Sequence, residues 1–482
     1  MTIVHHHVPI TPTPRRRLLP ACVAALALAR VAAAAPAADM GLHDDPVLSR
    51  LVDDSLATRR ELKQVEALVA AQRERVPQVG ALPDPTLGFG IQNDSFNRWN
   101  IGRMDTSFYQ VILSQGLPFP GKRDLRTQDA GLSAQQAETS IARARLSTEA
   151  EVRRAYLDLL LARERLQLLQ RLEIIWQQAA GVAGTRYETG EGAQSDVLRA
   201  QLEVSRIAQR RALLQGEERM RVQLLNRLRH HPFDEPIASG ASVRDLVPAG
   251  TPETAALEDD AIARSPELAQ ARLGVARAGK QVELAERDRW PDFGVNVGLM
   301  PRGALEPMWS VGFSMGLPVW MDRKQGRAVL EDTERAVAES EGAAELEHLL
   351  RLRVAERRSA HAALVETIRI YRTGLLVRSQ ATVDSTLSQY RVGRLPFVSV
   401  LEANAGYIDD EDGYLVALAA AQRLAIAARE VSLEPVTLTV GGESMGSAGG
   451  AGGAGAGVPP AGAAAAPAAA EQGNAGGGAP GM

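Results

Sequence analysis

Tyr187-Glu188-Thr189-Gly190, followed by Asp196-Val197-Leu198-Arg199-Ala200, returns 203 residues later as Tyr390-Arg391-Val392-Gly393, followed by Ser399-Val400-Leu401-Glu402-Ala403. Two further anchors keep nearly the same spacing. Glu61-Leu62 matches Glu267-Leu268 after 206 residues, and Gly116-Leu117-Pro118 matches Gly316-Leu317-Pro318 after 200. A repeat of this length is one structural unit built twice, so the fold is read from the unit.

Each half opens with a helical stretch, Leu42 to about Val76 and Thr254 to about Arg289. Ser265-Pro266-Glu267 reads as an N-cap with proline at the first helical position. Pro83-Asp84-Pro85 and Pro291-Asp292 end these stretches and open extended segments. The apolar period then becomes two. Leu87, Phe89 and Ile91 alternate with Gly88, Gly90 and Gln92, and Tyr109, Val111 and Leu113 follow the same rule. In the second half Phe293, Val295, Val297 and Leu299 alternate, and so do Trp309, Val311, Phe313 and Met315. This predicts strands over about 86–93, 106–115, 292–300 and 308–317. Each has roughly the length that crosses a bilayer when tilted.

After each hairpin comes a very long helical stretch, from about Asp124 to Thr185 and from about Lys324 to Gln389. At 1.5 Å per residue these would span about 90–100 Å. Val152, Tyr156, Leu159, Ala162, Leu166, Leu169 and Trp176 recur at helical spacing, a coiled-coil-like stripe. A glycine turn and a return helix follow in each half, about Ser195 to His230 and Val398 to Leu433.

The chain of 482 residues carries more than this fold. Arg15-Arg16-Arg17, an apolar run to Ala35 and the small residues Ala35-Pro36-Ala37 predict a signal peptide over 1–37. Repeat 1 then covers 38–240 and repeat 2 covers 241–440. Residues 441–482 are Gly-, Ala- and Pro-rich and predict a disordered tail. The one cysteine, Cys22, precedes the apolar run, the wrong order for a lipoprotein signal, and the mature chain would have no thiol. A net charge of −4 gives no basic footprint for nucleic acid.

If the hairpins enter lipid they cannot do so alone. The smallest membrane barrels have about eight strands. An open edge in hydrocarbon leaves backbone groups unpaired at several kcal/mol each. Several chains must therefore pool their strands.

Leader, duplicated unit, two strand hairpins, very long helices and paired Tyr-x-x-Gly turns resemble the TolC-type outer-membrane efflux family over about residues 42–433. Pro118-Phe119-Pro120-Gly121-Lys122-Arg123 resembles the strand-to-helix junction of its heavy-metal (CzcC/CusC-like) branch, with Pro318 opening the second junction. The resemblance implies a mostly α fold with a small β part: a homotrimer with a twelve-stranded β-barrel in outer-membrane lipid, continued by a periplasmic α-helical barrel. It implies a passive duct without enzymatic activity or cofactor, loaded by a periplasmic adaptor protein and an inner-membrane pump. The hairpin tips, with Tyr187, Gly190, Tyr390 and Gly393, would meet the adaptor. Glu402 matches one acid of the family's periplasmic gate, while Ser399 replaces the other. Asp196 holds the corresponding position of the first half, where it is expected either to contact a neighbouring helix, through a charge pair across the protomer interface, or to cap its own.

Other readings carry less. A periplasmic coiled-coil adaptor or scaffold would have one long hairpin flanked by small β domains, not two hairpins with few strands. No phosphate loop, nucleophile elbow or His-Glu metal motif marks an enzyme. His230-His231 lacks a third ligand nearby and reads as a loop, and no metal-binding residues are assigned. The acidic run Asp409 to Asp412 reads as a solvated helix face.

Overall fold

Proline and short polar side chains punctuate the helices. In the computed structural model, which describes residue 42 and residues 45–246 and 254–437, α1 (Pro46–Thr58) begins at Asp45, whose carboxylate accepts the Val47 N–H at 2.8 Å. The leader over 1–37 and the tail over 441–482 lie outside the described residues. The first predicted helix is broken in two. Arg59 is extended (φ −61°, ψ 121°), and α2 runs Arg60–Gly80. The break is tertiary in origin. The Thr58 hydroxyl donates to the Arg229 carbonyl at 2.7 Å, and the Arg59 guanidinium reaches Glu151 at 2.8 Å. In the second half α5 (Thr254–Arg264) and α6 (Pro266–Arg287) part at Ser265, whose hydroxyl accepts the Leu268 N–H at 3.2 Å.

Four strands form one antiparallel sheet in the order β1-β2-β3-β4: β1 (Thr86–Gln92), β2 (Phe108–Leu117), β3 (Phe293–Arg302) and β4 (Leu305–Met315). The join between repeats is β2 to β3, with Leu117 opposite Phe293 and Val111 opposite Leu299. β1 and β4 are the outer strands, so among the described residues one side of each has no partner. Leu87, Phe89, Ile91, Trp309, Val311 and Phe313 are exposed on one face. The other face is close-fitting because its small residues are covered. A Cβ at Gly312 would fall 2.3 Å from Asn296 Oδ1, and one at Gly294 would fall 2.4 Å from Ser314 Oγ.

From the sheet run the long helices. α3 (Lys122–Glu188) has 67 residues, and α4 (Gln194–Arg229) returns beside it. At 1.5 Å per residue α3 is about 100 Å long. In the second repeat the predicted continuous helix is interrupted. α7 (Gln325–Ile370) and α8 (Leu376–Arg391) are joined by a π-helical turn at Tyr371–Leu375, and α9 (Phe397–Glu430) returns. The Tyr371 ring lies over α9 where only glycine leaves room: a Cβ at Gly413 would be 2.4 Å from the tyrosine oxygen. Gly190 (φ +79°) and Gly393 (φ +73°) make the turns at the hairpin tips, a left-handed conformation that a side chain would strain.

Three apolar clusters hold the helices together, one of them joining α5, α6 and α7 through Ala261, Leu268 and Leu350. The middle one joins α1, α3, α4 and α9 through Leu48, Tyr156, Leu160, Leu225 and Leu415. The one at the tips joins Leu172, Trp176, Ile207, Tyr390, Phe397 and Val400. The connection between repeats is pinned to the middle cluster. The buried Tyr156 hydroxyl donates to Asp45 Oδ2 at 2.6 Å and accepts the Gly240 N–H at 3.0 Å. Burial, then the bond to Asp45, pushes its pKa well up, so it stays a donor. A Cβ at Gly240 would fall 2.1 Å from Asp45 Oδ1. Gly240→Ala is therefore expected to break this network and cost about 2–3 kcal/mol, read as a lower thermal midpoint. An unchanged midpoint would show that the connection is not held there.

Candidate functional site: hairpin tips and strand-to-helix junctions

At the tips the two repeats are unlike. Tyr390 is 2% exposed, while Tyr187, its equivalent, is 48% exposed. The Tyr390 ring meets Phe397 nearly edge-on at 5.2 Å between centroids, and the Arg186 guanidinium lies 4.9 Å from its centre. Arg186 also donates to the Tyr390 carbonyl and, at 3.1 Å, to the Glu191 carbonyl. It thus ties the end of α3 to the end of α8. The Tyr390 hydroxyl donates to Asp196 Oδ2 at 3.3 Å. Burial, then the negative charge of Asp196, raises the tyrosine's pKa and keeps the proton in place.

Asp196 therefore does not cap its helix, whose N-cap is Ala193 with no side-chain bond. Within the chain its partner is a tyrosine of the other hairpin. Ser399 is half-buried in the first turn of α9, its N–H bonded to the Pro396 carbonyl at 3.1 Å. Glu402 is exposed one turn later, on the same face. Val400 turns the other way, into the tip cluster. Of the tip residues expected to meet a partner, Tyr187 presents its ring and Tyr390 does not.

The strand-to-helix junctions differ in the same manner. Gly121 takes φ +91° as the N-cap of α3, after Pro118 and Pro120. Lys122, the first residue of α3, is buried. Its ammonium lies 2.9 Å from Asp292, 3.1 Å from Asp288 and 2.7 Å from the Trp290 carbonyl. Phe119 stacks on Trp290 at 5.4 Å, and its N–H donates to Asp292 Oδ1 at 2.8 Å. Arg123 donates to the Gly80 carbonyl at 2.9 Å. The first junction is thereby keyed to the α6–β3 corner of the second repeat. Pro318 opens the second junction, whose side chains point outward.

The acidic run on α9 is a solvated face only in part, with Asp409 exposed and Asp410 half-buried. Glu411 is buried, its carboxylate paired with Arg244 of the connecting segment, and Asp412 pairs with Arg165 at 2.6 Å. Arg244 also meets Glu164 at 3.3 Å. Tyr407 donates to Glu411 at 3.0 Å, and burial, then the Glu411 charge, pushes its pKa up to about 12. Sequence reading missed Arg186, Arg244 and Glu164, because nothing local marks a charge whose partner is tens of residues away. His230 caps α4 with φ +60°, and His231 pairs with Glu235 at 2.9 Å. Among the described residues no group of three or more His, Cys, Asp or Glu side chains could hold a metal ion.

Residues 51–229 match the family model described as "Outer membrane efflux protein". Protein CyaE of Bordetella pertussis is 29% identical over 186 residues, covering 38% of this chain and 39% of that protein. Nodulation protein T of Rhizobium leguminosarum bv. trifolii is 24% identical over 297 residues, covering 57% and 62%. The chain thus spans less than two thirds of both curated relatives. Among solved structures, the outer-membrane channel OprN superposes with a TM-score of 0.68 at 19% identity, covering 81% of this chain and 91% of that one. That family model thus matches the chain through its first repeat, and the chain shares the fold of an outer-membrane channel over four fifths of its length.

Proposed function

We propose that three copies of this chain form an outer-membrane duct whose helices reach into the periplasm and which passively exports substrate delivered by an inner-membrane pump through a periplasmic adaptor. The observation that carries this reading is the sheet. It exposes an apolar face, and its outer strands β1 and β4 each keep one unpaired edge. In lipid such edges cost several kcal/mol per unpaired group, and only closure with further copies removes them. The leader over 1–37 would send the chain across the inner membrane, and repeats 38–240 and 241–440 would each supply one hairpin to the barrel. Detergent-extracted protein is expected to run as a heat-sensitive oligomer on unheated gels and to conduct ions in planar bilayers. A water-soluble monomer without conductance would overturn the proposal.

At the periplasmic end, the exposed Glu402 would face its two copies around the axis, with Ser399 one turn nearer the tip. A ring of carboxylates attracts cations and repels anions. Glu402→Ala is expected to lower the cation-over-anion permeability ratio several-fold and to make the closed channel leakier. Unchanged values in both respects would remove Glu402 from the gate. Tyr187, Gly190 and Gly393 form the surface offered to the adaptor. The resemblance of the first junction to the heavy-metal branch makes metal cations the cargo to test first. Loss of the protein should then sensitise cells to metal salts, and sensitisation to organic drugs alone would exclude that cargo.

A further inference from the structure

The two strand-to-helix junctions are copies of one motif, yet among the described residues only one has a partner. Gly116-Leu117-Pro118-Phe119 is half-buried against the α6–β3 corner, apart from exposed Gly116. Gly316-Leu317-Pro318-Val319-Trp320 is open, with Val319 81% and Trp320 68% exposed. The corners are copies too. Leu82-Pro83-Asp84 stands 208 residues before Trp290-Pro291-Asp292. Trp290 and Asp292 receive Phe119 and Lys122, while among the described residues no ring contact or ion pair reaches Leu82 or Asp84. The chain therefore holds one filled junction-corner pair and the two unfilled halves of another. Gln325, which stands where Lys122 stands in the helix repeat, has a buried Oε1 without a hydrogen-bond partner.

We propose that the second junction is a docking surface for another copy of this chain: Val319 and Trp320 of one protomer pack on Leu82 of the next, and Arg323 pairs with the Asp84 carboxylate. The proposal rests on the oligomeric barrel above and adds the contact that keys one protomer to the next. Charge complementarity supports it, because Arg323 beside the open junction is an exposed cation and Asp84 in the open corner an exposed anion. Carrying the β2–β3 register through the repeat also fixes the alignment of the open edges. Leu117 opposite Phe293 becomes Leu317 opposite Pro85 of the next copy, and Phe313 then faces Phe89. Both edges present their apolar residues on the same face in that register, and a slip of one residue would turn one set to the other side.

Thiol crosslinking in membranes tests this, using a Cys22→Ser background that has no other cysteine. Phe313→Cys with Phe89→Cys reads the strand edge, and Val319→Cys with Leu82→Cys, joined by a short bismaleimide, reads the junction. Most of the protein is expected to shift to covalent dimers and trimers with either pair. Asp84→Arg is expected to reduce junction crosslinking several-fold, and adding Arg323→Asp should restore it. Edge crosslinks without junction crosslinks would overturn the docking surface and leave the barrel standing. Absence of both would overturn the docking surface together with the barrel beneath it.

Discussion

Arg244→Met is expected to destabilise the protein by about 3–5 kcal/mol, the scale of leaving buried charge without its partner. Arg244 stands in the single turn of 3₁₀ helix, Val243–Asp245, that connects the repeats. It is the cation shared by Glu164 of α3 and Glu411 of α9, whose side chains are 6% and 9% exposed. Its guanidinium also lies 5.8 Å from the centre of the Tyr414 ring. Methionine fills the space but leaves two carboxylates in a poorly solvated place. The expected readout is a large fall in the thermal midpoint and in the yield of heat-sensitive oligomer. Adding Glu411→Gln removes one of the two stranded charges and is expected to recover part of the loss. If Arg244→Met behaves like the parent, the connection between repeats does not depend on this cluster.

Tyr390→Ala is expected to cost about 3–5 kcal/mol by emptying an aromatic site in the tip cluster. Tyr390→Phe keeps the ring against Phe397 and Arg186 and removes only the bond to Asp196, at about 1 kcal/mol. The two substitutions thus separate packing from latching. In bilayers both should raise the open fraction of the channel, Ala more than Phe. Parental gating in Tyr390→Phe would show that Asp196 does not latch the tips. The pH dependence follows from the raised tyrosine pKa. A hydroxyl whose folded pKa lies above its unfolded value of about 10 keeps its full contribution below that pH and loses it only as pH rises through the folded value. The latch is therefore expected to be indifferent to pH across the neutral range and to release in strong alkali.

The halves of the fold differ in how far their residues could be read in advance. Strand alternation at Phe89 and Phe313 and the glycine turns at Gly190 and Gly393 are local features, set by period and backbone sterics. The helix breaks at Arg59 and at Tyr371–Leu375 are not local. They come from contacts with Arg229, Glu151 and the α9 glycine Gly413. The acidic run on α9 departs from a solvated face at Glu411 and Asp412 for the same reason. Its exposure depends on Arg244 and Arg165, which are far away in the chain.

The sequence by itself determined a unit built twice, its strands, its long helices and its tips, because each of these is written in a spacing of a few residues. Tertiary structure decided which copy of each repeated residue is enclosed. Tyr390 is sealed where Tyr187 is open, and Phe119 is stacked where Val319 is bare. The physical reason is that equal residues face unequal neighbours: β2 pairs with β3 inside the chain while β1 and β4 end it, and at the tips Phe397 and Arg186 close on Tyr390.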